Sequence, residues 1–182
     1  KDAAVREATS KISQKKRQIV DFSEVKTSGS YTLVAGKYAQ PIVIADRALE
    51  GLAKGAMKAF YYQRTATDLT EQYAGKWTRK AAHPDTIVKV HGSAASKSRP
   101  EGTVISSPGG WYDAGDYNKY IVNSGFSHGI PICAYQMQPD HYAAYELNIP
   151  ESGNVTPDVL DEMLINLRWM LTMQDPDRSE ER

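Results

Sequence analysis

The amino-acid sequence predicts a mainly α-helical protein with a small β region at its start. Strand-like runs are confined to residues 18–35, whereas apolar residues recur at helical spacing in residues 42–64, in residues 121–137 and after Thr156. No stretch alternates strand, helix and strand, which argues against a parallel α/β sheet. A chain of 182 residues has room for one ordinary domain, or for one small domain and part of another.

The composition limits the kinds of partner. Basic and acidic residues each number 22, so the net charge is zero and no strong field attracts nucleic acid or an anionic membrane. No apolar run is long enough to span a bilayer, so we expect neither nucleic-acid binding nor membrane insertion. The single cysteine, Cys133, excludes an intrachain disulfide, and we expect it to be a small buried side chain. The chain starts at Lys1 without Met or a signal-peptide pattern, so we expect a processed product or a fragment.

The β region comes first. Residues 1–17 are polar and strongly charged, and we expect a loop or a poorly ordered start. Residues 18–22 and 31–34 are short β-type runs around a glycine-containing turn, which predicts a hairpin. Because a lone hairpin is marginal in water, we expect these strands to join a larger sheet, formed with residues 1–17 or with residues before Lys1. Residues 36–41 are interpreted as a linker.

The first helix is predicted in residues 42–64, where apolar residues recur every four positions: Ile44, Ala48, Leu52, Ala56 and Phe60, with Leu49 and Ala59 beside them. Residues 65–108 are mostly loop, broken by His83-Pro84, His91-Gly92 and Arg99-Pro100. A stretch of that length without regular structure is usually a functional or covering loop.

Two more helices are predicted further along. Residues 121–137 form the second, which contains Phe126, Ile130, Cys133, Ala134 and Met137. Pro131 interrupts it and removes one backbone donor, so we expect the helix either to start late or to kink there. Residues 138–154 are loop. Thr156-Pro157-Asp158 predicts the next helix start, with a hydroxyl cap, a proline in the first turn and an acid near the positive dipole end. Its wide apolar stripe predicts burial between helices: Leu160, Leu164, Leu167 and Leu171, with Val159, Met163 and Met170. These helices do not close a core by themselves, so we expect further partners.

Between the first two helices, the string GGWYDAGDYNKY (residues 109–120) places Asp113 and Asp116 on a glycine-rich turn. An isolated pair of this kind is most often a solvated turn. It can also bind a divalent cation, although hard cations need more oxygen ligands close by. A third reading is that the acids position a water and remove its proton, as in inverting glycoside hydrolysis. The neighbouring aromatic residues, and the scarcity of basic ones, favour a sugar-binding cleft over a phosphate site.

The same string resembles the catalytic-base signature of glycoside hydrolase family 9, the cellulase and endoglucanase family. Other segments resemble that family in the same order along the chain: Phe22-Ser23-Glu24 to Tyr31-Thr32-Leu33, KAFYYQR (58–64), YAGKW (73–77), NIPESGN (148–154) and PDVLDE (157–162). The resemblance covers about residues 18–176.

The resemblance implies a fold and a division into domains. Residues 1–38 would be the end of an immunoglobulin-like β domain and a linker. Residues 39–182 would be the N-terminal portion of an (α/α)6 barrel, the family's catalytic domain. The family's general-acid glutamate lies in later barrel helices, so we expect this chain alone to be inactive and to need the rest of the domain.

The resemblance also implies site residues and an activity. Asp116 matches the general base, and Asp113 matches the partner that holds the nucleophilic water. Trp111 and Tyr112 either shape the substrate cleft or pack the turn. The implied reaction is inverting hydrolysis of β-1,4 bonds in cellulose or a related β-glucan, with xyloglucan, mixed-linkage glucan and glucosamine oligomers as alternative substrates. A non-catalytic oligosaccharide-binding or inert fragment is the alternative function. A polymeric substrate implies a secreted, periplasmic or cell-surface protein.

Some family members bind metals. Thr65 and Ala82 stand where zinc-binding cysteines would be, leaving His83 and His91, so we expect no zinc site. Asp175 and Asp177 are candidate ligands for the calcium site of some members, and no cofactor is required. His128 is interpreted as a packed or solvent-facing residue, and Asp161-Glu162 as acids that compensate a helix dipole.

Overall fold

The computed structural model describes residues 2–176 of the chain. The chain divides into two compact units, Lys1–Glu50 and Gly51–Arg182, which are described separately. This division follows residue 50, whereas the sequence predicts it after residue 38. The strand that begins at Tyr38 pairs with the strand before it and so belongs to the first unit.

The first unit consists of two antiparallel hairpins, each a separate two-stranded sheet. The four strands are β1 (Ala4–Thr9), β2 (Lys16–Asp21), β3 (Gly29–Ala35) and β4 (Tyr38–Ile44). β1 pairs with β2 so that Ala4 lies opposite Asp21, and β3 pairs with β4 so that Gly29 lies opposite Ile44.

The strand partners differ from those predicted. β1 lies in the segment expected to be a loop, and β4 begins within the segment interpreted as a linker. The predicted hairpin between residues 18–22 and 31–34 is therefore wrong, although the expectation of a partner within residues 1–17 is confirmed. Nearly all side chains of β1 and β2 are exposed, so these strands lack the apolar alternation that marks a half-buried strand. Pro41 fits β4 because a two-stranded sheet leaves one edge without ladder bonds.

The second unit is mainly helical. Its helices are α1 (Glu50–Tyr62), α2 (Glu71–Ala74), α3 (Ile121–Met137), α4 (Pro139–Ala143) and α5 (Asp158–Met173). Two short strands, β5 (Val88–Lys89) and β6 (Val104–Ile105), pair within the long connection between α2 and α3. α1 is shorter than predicted because residues 42–44 belong to β4, and α3 has the predicted bounds and continues through Pro131. No helix within residues 2–176 has the length and apolar character needed to cross a bilayer.

The start of α5 differs from the prediction. Thr156 does not cap the helix; instead the Pro157 carbonyl accepts the first helical bonds, from the N–H groups of Leu160 and Asp161 at 2.8 and 3.0 Å. The Asp158 carboxylate is buried and accepts two hydrogen bonds of 2.6 Å, from the Leu147 N–H and the Ser152 hydroxyl. This acid therefore fastens the preceding loop to the helix.

The helices bury faces that differ in part from those predicted. The predicted apolar stripes of α1 and α3 are largely exposed, including Leu52, Phe126 and Ile130. In α5, Val159 and Met163 of the predicted stripe are buried, whereas Leu167 and Leu171 are exposed. Cys133, expected to be buried, is also exposed. The buried faces carry aromatic, polar and charged side chains: Tyr61, Ser124, His128, Glu162, Asn166 and Trp169. Loop residues help to bury these faces, because they contribute much of the hydrophobic core. That core contains Tyr61, Leu69, Ala74, Tyr145, Leu147, Ile149 and Val159.

Candidate active site

Residues 109–120, which we call the acid loop, form an irregular connection between β6 and α3. Its tip is closed by a backbone hydrogen bond of 3.1 Å from the Asp113 N–H to the Asn118 carbonyl. Asp113 and Asp116 are both exposed on this closed turn. The loop therefore presents two carboxylates to solvent on one short, folded segment.

Each carboxylate is held by an asparagine amide. Asn123 Nδ2 donates to Asp113 Oδ1 at 2.9 Å, and Asn118 Nδ2 donates to Asp116 Oδ2 at 2.9 Å. The Tyr120 hydroxyl lies 3.4 Å from the same Asp116 oxygen. Within residues 2–176, the second oxygen of each carboxylate has no protein donor. An amide donor orients a carboxylate without neutralising it, so the arrangement can bind a water and accept its proton.

Trp111 anchors the start of the loop inside the unit. Only 5% of its surface is exposed, and its ring packs on those of Phe60 and His128. Its indole N–H donates to Glu162 Oε1 at 3.0 Å, and its backbone N–H donates to Asn166 Oδ1 at 3.2 Å. Trp111 therefore joins the acid loop to α5.

Below Trp111, Glu162 belongs to a buried ion-pair network. Arg64 is 2% exposed and Glu162 1%. Arg64 Nη2 lies 2.9 Å from Glu162 Oε2 and 2.8 Å from Glu151 Oε2, and Arg64 Nη1 donates to Glu151 Oε1 at 3.1 Å. Burial raises the pKa of Glu162, and the hydrogen bonds from Arg64 and Trp111 oppose that rise. Burial alone would lower the pKa of Arg64, but its bonds to the two glutamates outweigh burial and raise it.

The glycines of the loop are held from the other side. Thr65 donates its hydroxyl to the Gly109 carbonyl at 2.7 Å and its N–H to the Gly110 carbonyl at 2.9 Å. Gly110 has φ +83°, and a Cβ there would lie 2.7 Å from the Trp169 ring. Only glycine satisfies both that backbone angle and that close approach.

The structure places the sequence-predicted site residues in two groups. Asp113 and Asp116 lie at the exposed tip, whereas Trp111 and Tyr112, 6% exposed, lie inside with their polar atoms bonded to the protein. The Tyr112 hydroxyl is 2.7 Å from His83 Nδ1. Both rings therefore hold the loop in place.

Sequence reasoning missed the network beneath the loop. Glu162 was interpreted as compensating the α5 dipole, but it pairs with Arg64, which is far away in sequence. The available signal was an acid between Val159 and Met163, both buried: a charge on a packed helix face requires a partner.

The metal predictions concern a neighbouring part of the unit. Thr65 is bonded to the acid loop, and Ala82 supplies only its backbone carbonyl, which accepts from the Ala66 N–H at 2.9 Å. His91 Nδ1 bonds locally to Ser93. No group of three His, Cys, Asp or Glu side chains in the described part of the chain is placed to hold a metal, and these residues do not fit a zinc ion.

The structure describes only one of the two candidate calcium ligands. Asp175 is buried and accepts hydrogen bonds from the hydroxyls of Ser96 and Ser98, whereas Asp177 lies outside the described residues.

Known proteins are similar to this chain in both sequence and fold. A xyloglucan-specific endo-beta-1,4-glucanase of Bacteroides ovatus is 55% identical over 170 residues, which are 93% of this chain and 29% of that protein. Endoglucanase D of Acetivibrio thermocellus is 34% identical over 88% of this chain and 25% of its own length. The chain thus spans less than a third of the length of these relatives.

Solved structures agree with these relatives. A family 9 glycoside hydrolase of Bacteroides ovatus superposes with a TM-score of 0.89 at 54% identity, covering 96% of this chain and 32% of that one. AaCel9A, solved with cellobiose-like isofagomine, gives 0.75 at 29% identity, over 89% of this chain and 29% of its own. The described residues therefore correspond to part of the (α/α)6 barrel region together with small β-hairpins. The model of glycosyl hydrolase family 9 matches residues 50–181, most of the sequence, and this chain belongs to that family.

Proposed function

We propose that this chain supplies the base side of an inverting glycoside hydrolase that acts on β-1,4-linked glucans. The observation that carries the proposal is the acid loop itself. Asp113 and Asp116 are exposed on one closed turn, each with one carboxylate oxygen free of protein donors in the described part of the chain. A buried ion-pair network supports that turn from below.

In the proposed reaction Asp116 is the base. A water oxygen forms a bond to the anomeric carbon as its proton passes to Asp116, and the glycosidic C–O bond breaks on the opposite face. The leaving oxygen takes a proton from a general acid, roughly 6.5–9.5 Å from the base in inverting enzymes. The resemblance assigns that acid to a glutamate of the later barrel helices. We accordingly propose that residues 1–182 alone do not complete the reaction.

The two aspartates differ in how they are held, and this supports their separate roles. The amide that holds Asp113 belongs to Asn123 of α3, so a regular helix fixes that carboxylate. The amide that holds Asp116 belongs to Asn118, within the loop. A fixed carboxylate suits the orientation of a water, and a carboxylate on the loop suits proton transfer to a substrate-bound water.

We propose xyloglucan or a related β-1,4-glucan as the substrate class. The support is the 55% identity with a relative named for xyloglucan and the 34% identity with an endoglucanase. Tyr117 and Tyr120, 69% and 43% exposed, offer aromatic faces on the acid loop where sugar rings stack. Trp111 and Tyr112 shape the cleft indirectly, by fixing that loop.

The test is Asp116→Ala in the whole protein that contains this chain. Hydrolysis of xyloglucan, mixed-linkage glucan and soluble cellulose is measured by release of reducing ends. Loss of a general base lowers kcat by about 10²–10⁴-fold. Asp140→Ala, an exposed aspartate on α4, is the matched control and retains full activity. Retained activity in Asp116→Ala would refute the proposed role.

Binding without hydrolysis is the alternative for the chain by itself. Calorimetry with a xyloglucan oligosaccharide, run beside the reducing-end assay on residues 1–182, separates the two functions. Heat of binding without release of sugar supports a binding fragment, and release of sugar contradicts our assignment of the acid.

We also propose that the hairpins of the first unit are the end of an immunoglobulin-like module, and that the protein works outside the cytoplasm. The support is chemical, because polymeric glucan does not enter the cytoplasm. Fractionation of producing cells, with the protein followed by antibody, tests the location. Recovery in the cytoplasm alone would contradict it.

A further inference from the structure

A short segment beneath the acid loop, His83-Pro84-Asp85, which we call the brace, has an unusual backbone. His83 and Asp85 have φ angles of +53° and +46°, in the left-handed region that residues other than glycine seldom adopt. Such conformations persist where the surrounding contacts over-determine them, and they cluster at functional sites. The contacts of the brace identify what holds it.

The turn that carries Asp113 and Asp116, residues 113–118, is called the catalytic turn here because of its proposed role. The His83 side chain contacts the residues on both sides of the two aspartates. Its Nδ1 lies 2.7 Å from the Tyr112 hydroxyl, and its ring stacks on Tyr117 with centroids 4.2 Å apart and planes inclined by 24°. Tyr112 and Tyr117 are the residues immediately before Asp113 and immediately after Asp116. One imidazole thus contacts both tyrosines that flank the segment carrying the two carboxylates.

Asp85 holds a third point of the loop. Its Oδ2 lies 2.6 Å from Lys119 Nζ, and the Lys119 side chain is 9% exposed. That ammonium also donates to the carbonyls of Ser107 and Gly109 at 2.9 and 3.0 Å. The Asp85 carbonyl accepts from the Ser107 N–H at 2.8 Å, which ties the brace to the segment between β6 and the acid loop.

From these contacts we propose that the brace positions the catalytic turn, with His83 as the main positioning residue and Asp85 acting through Lys119. His83 acts here through a hydrogen bond and ring stacking. The proposal rests on the proposed function of Asp113 and Asp116, because it concerns where those carboxylates are held. It assigns His83 no contact with substrate.

The test uses the whole protein and a series of variants at His83. His83→Phe keeps a ring for stacking on Tyr117 but loses the hydrogen bond to Tyr112. His83→Asn keeps a hydrogen-bonding group near the Nδ1 position but loses the ring. His83→Ala loses both. Because a displacement of about 1 Å can cost about 100-fold in rate, we expect His83→Ala to lower kcat by about 10–100-fold, with smaller losses in the other two variants.

Three readouts distinguish positioning from a general loss of structure. KM for a xyloglucan oligosaccharide changes less than kcat, since His83 itself contacts no sugar and Tyr117 is the one proposed sugar-binding ring that stacks on it. The acid limb of the pH–rate profile moves, since the turn that holds the base has shifted. In a double-mutant cycle, His83→Phe and Tyr112→Phe are non-additive, because each removes the same hydrogen bond. His91→Ala is the control and keeps wild-type kinetics, because this exposed histidine hydrogen-bonds locally to Ser93 and to no acid-loop residue in the described part of the chain.

The outcomes separate this inference from the proposed function. If Asp116→Ala is inactive and His83→Ala has wild-type kcat, the brace has no positioning role and the proposed function stands. If Asp116→Ala is active, the proposed function fails, and this inference fails with it. Should His83→Ala not fold, His83→Phe and His83→Asn decide: wild-type kcat in both overturns the inference. Stoichiometric zinc in the wild-type protein that is lost in His83→Asn also overturns it, because His83 would then act as a metal ligand.

Discussion

The carboxylates of the acid loop and the carboxylate beneath it are built in opposite ways. Asp113 and Asp116 are exposed, and each is held by neutral donors. Glu162 is 1% exposed, pairs with Arg64 and accepts the indole N–H of Trp111. Both kinds of acid belong to one connected structure, yet only the exposed pair has room for a water.

Stability and the proposed chemistry depend on different acids in this unit. A buried carboxylate is costly to bring out of water, so a charge partner and hydrogen-bond donors such as those of Glu162 offset that cost, and removing the carboxylate leaves its partner charge unpaired. An exposed carboxylate contributes little to folding and keeps a lone pair free for a proton. Substitutions on the two sides should therefore separate loss of stability from loss of activity.

The largest expected effect on stability is that of Glu162→Ala. It leaves Arg64 buried with only the partly exposed Glu151 as partner and removes the acceptor of the Trp111 indole. We expect the free energy of unfolding to fall by about 3 kcal/mol, the lower end of the range for a broken buried pair, because one partner remains. Chemical denaturation followed by tryptophan fluorescence measures it. Glu146→Ala, at an exposed position, is the control. A Glu162→Ala variant as stable as that control would contradict the stabilising role of the buried glutamate.

The next largest effect is at the joint between the two regions, at Gly110. Gly110→Ala places a Cβ within 2.7 Å of the Trp169 ring at a φ of +83°, so overpacking adds to backbone strain. Gly109→Ala is the matched control, because its φ is +78° and no atom lies within 4 Å of the added Cβ. We expect both variants to lose about 1 kcal/mol from the left-handed backbone, and Gly110→Ala to lose about 1–3 kcal/mol more. Equal stability in the two variants would show that the contact with Trp169 is not a constraint.

The sequence predicted the exposed side of this comparison better than the buried side. The turn that carries Asp113 and Asp116 is predicted because both acids lie in one uninterrupted string, and α3 has the predicted bounds because a glycine-rich loop precedes it and a Gln-Pro pair follows it. Signals that lie within one short segment do not depend on how distant segments pack.

The buried side depends on partners that are distant in sequence. Arg64 follows the end of α1 and Glu162 lies on α5, and neither segment contains a signal that identifies the other. Periodicity located the helices but misassigned the packed faces of α1 and α3 and part of that of α5. An apolar residue such as Leu167 or Leu171 shows that a face can be buried, not that it is the face buried here. His83 was considered only as a metal ligand, since its contacts with the two tyrosines appear only in the folded chain.

A smaller effect is expected from pH, through a buried group that is not a carboxylate. Burial lowers the pKa of His128 below its usual 6.5, so the folded state favours the neutral ring. As the pH falls below about 6.5, the unfolded chain takes up the proton first, and stability declines until the folded pKa is reached. The slope cannot exceed about 1.4 kcal/mol per pH unit for one proton. The measurement compares unfolding free energies at pH 7 and pH 5 in wild type and His128→Gln, where the substitution should reduce the difference between the two pH values. An unchanged difference would contradict the assigned direction.

The smallest expected effect on stability is that of Asp116→Asn. Asp116→Asn removes a charge but keeps an oxygen that can accept from Asn118, at an exposed position. The loss of a negative charge beside Asp113 offsets any weakening of that bond, so we expect the free energy of unfolding to stay within about 0.5 kcal/mol of wild type. The same denaturation experiment measures it, with Asp113→Asn in parallel. If either variant loses as much stability as Glu162→Ala, then the aspartates are structural acids that close the turn. Exposure of a carboxylate oxygen would then not distinguish a catalytic acid from a structural one. If both keep their stability while Asp116→Ala loses its activity, the exposed pair does the chemistry and the buried glutamate holds it in place.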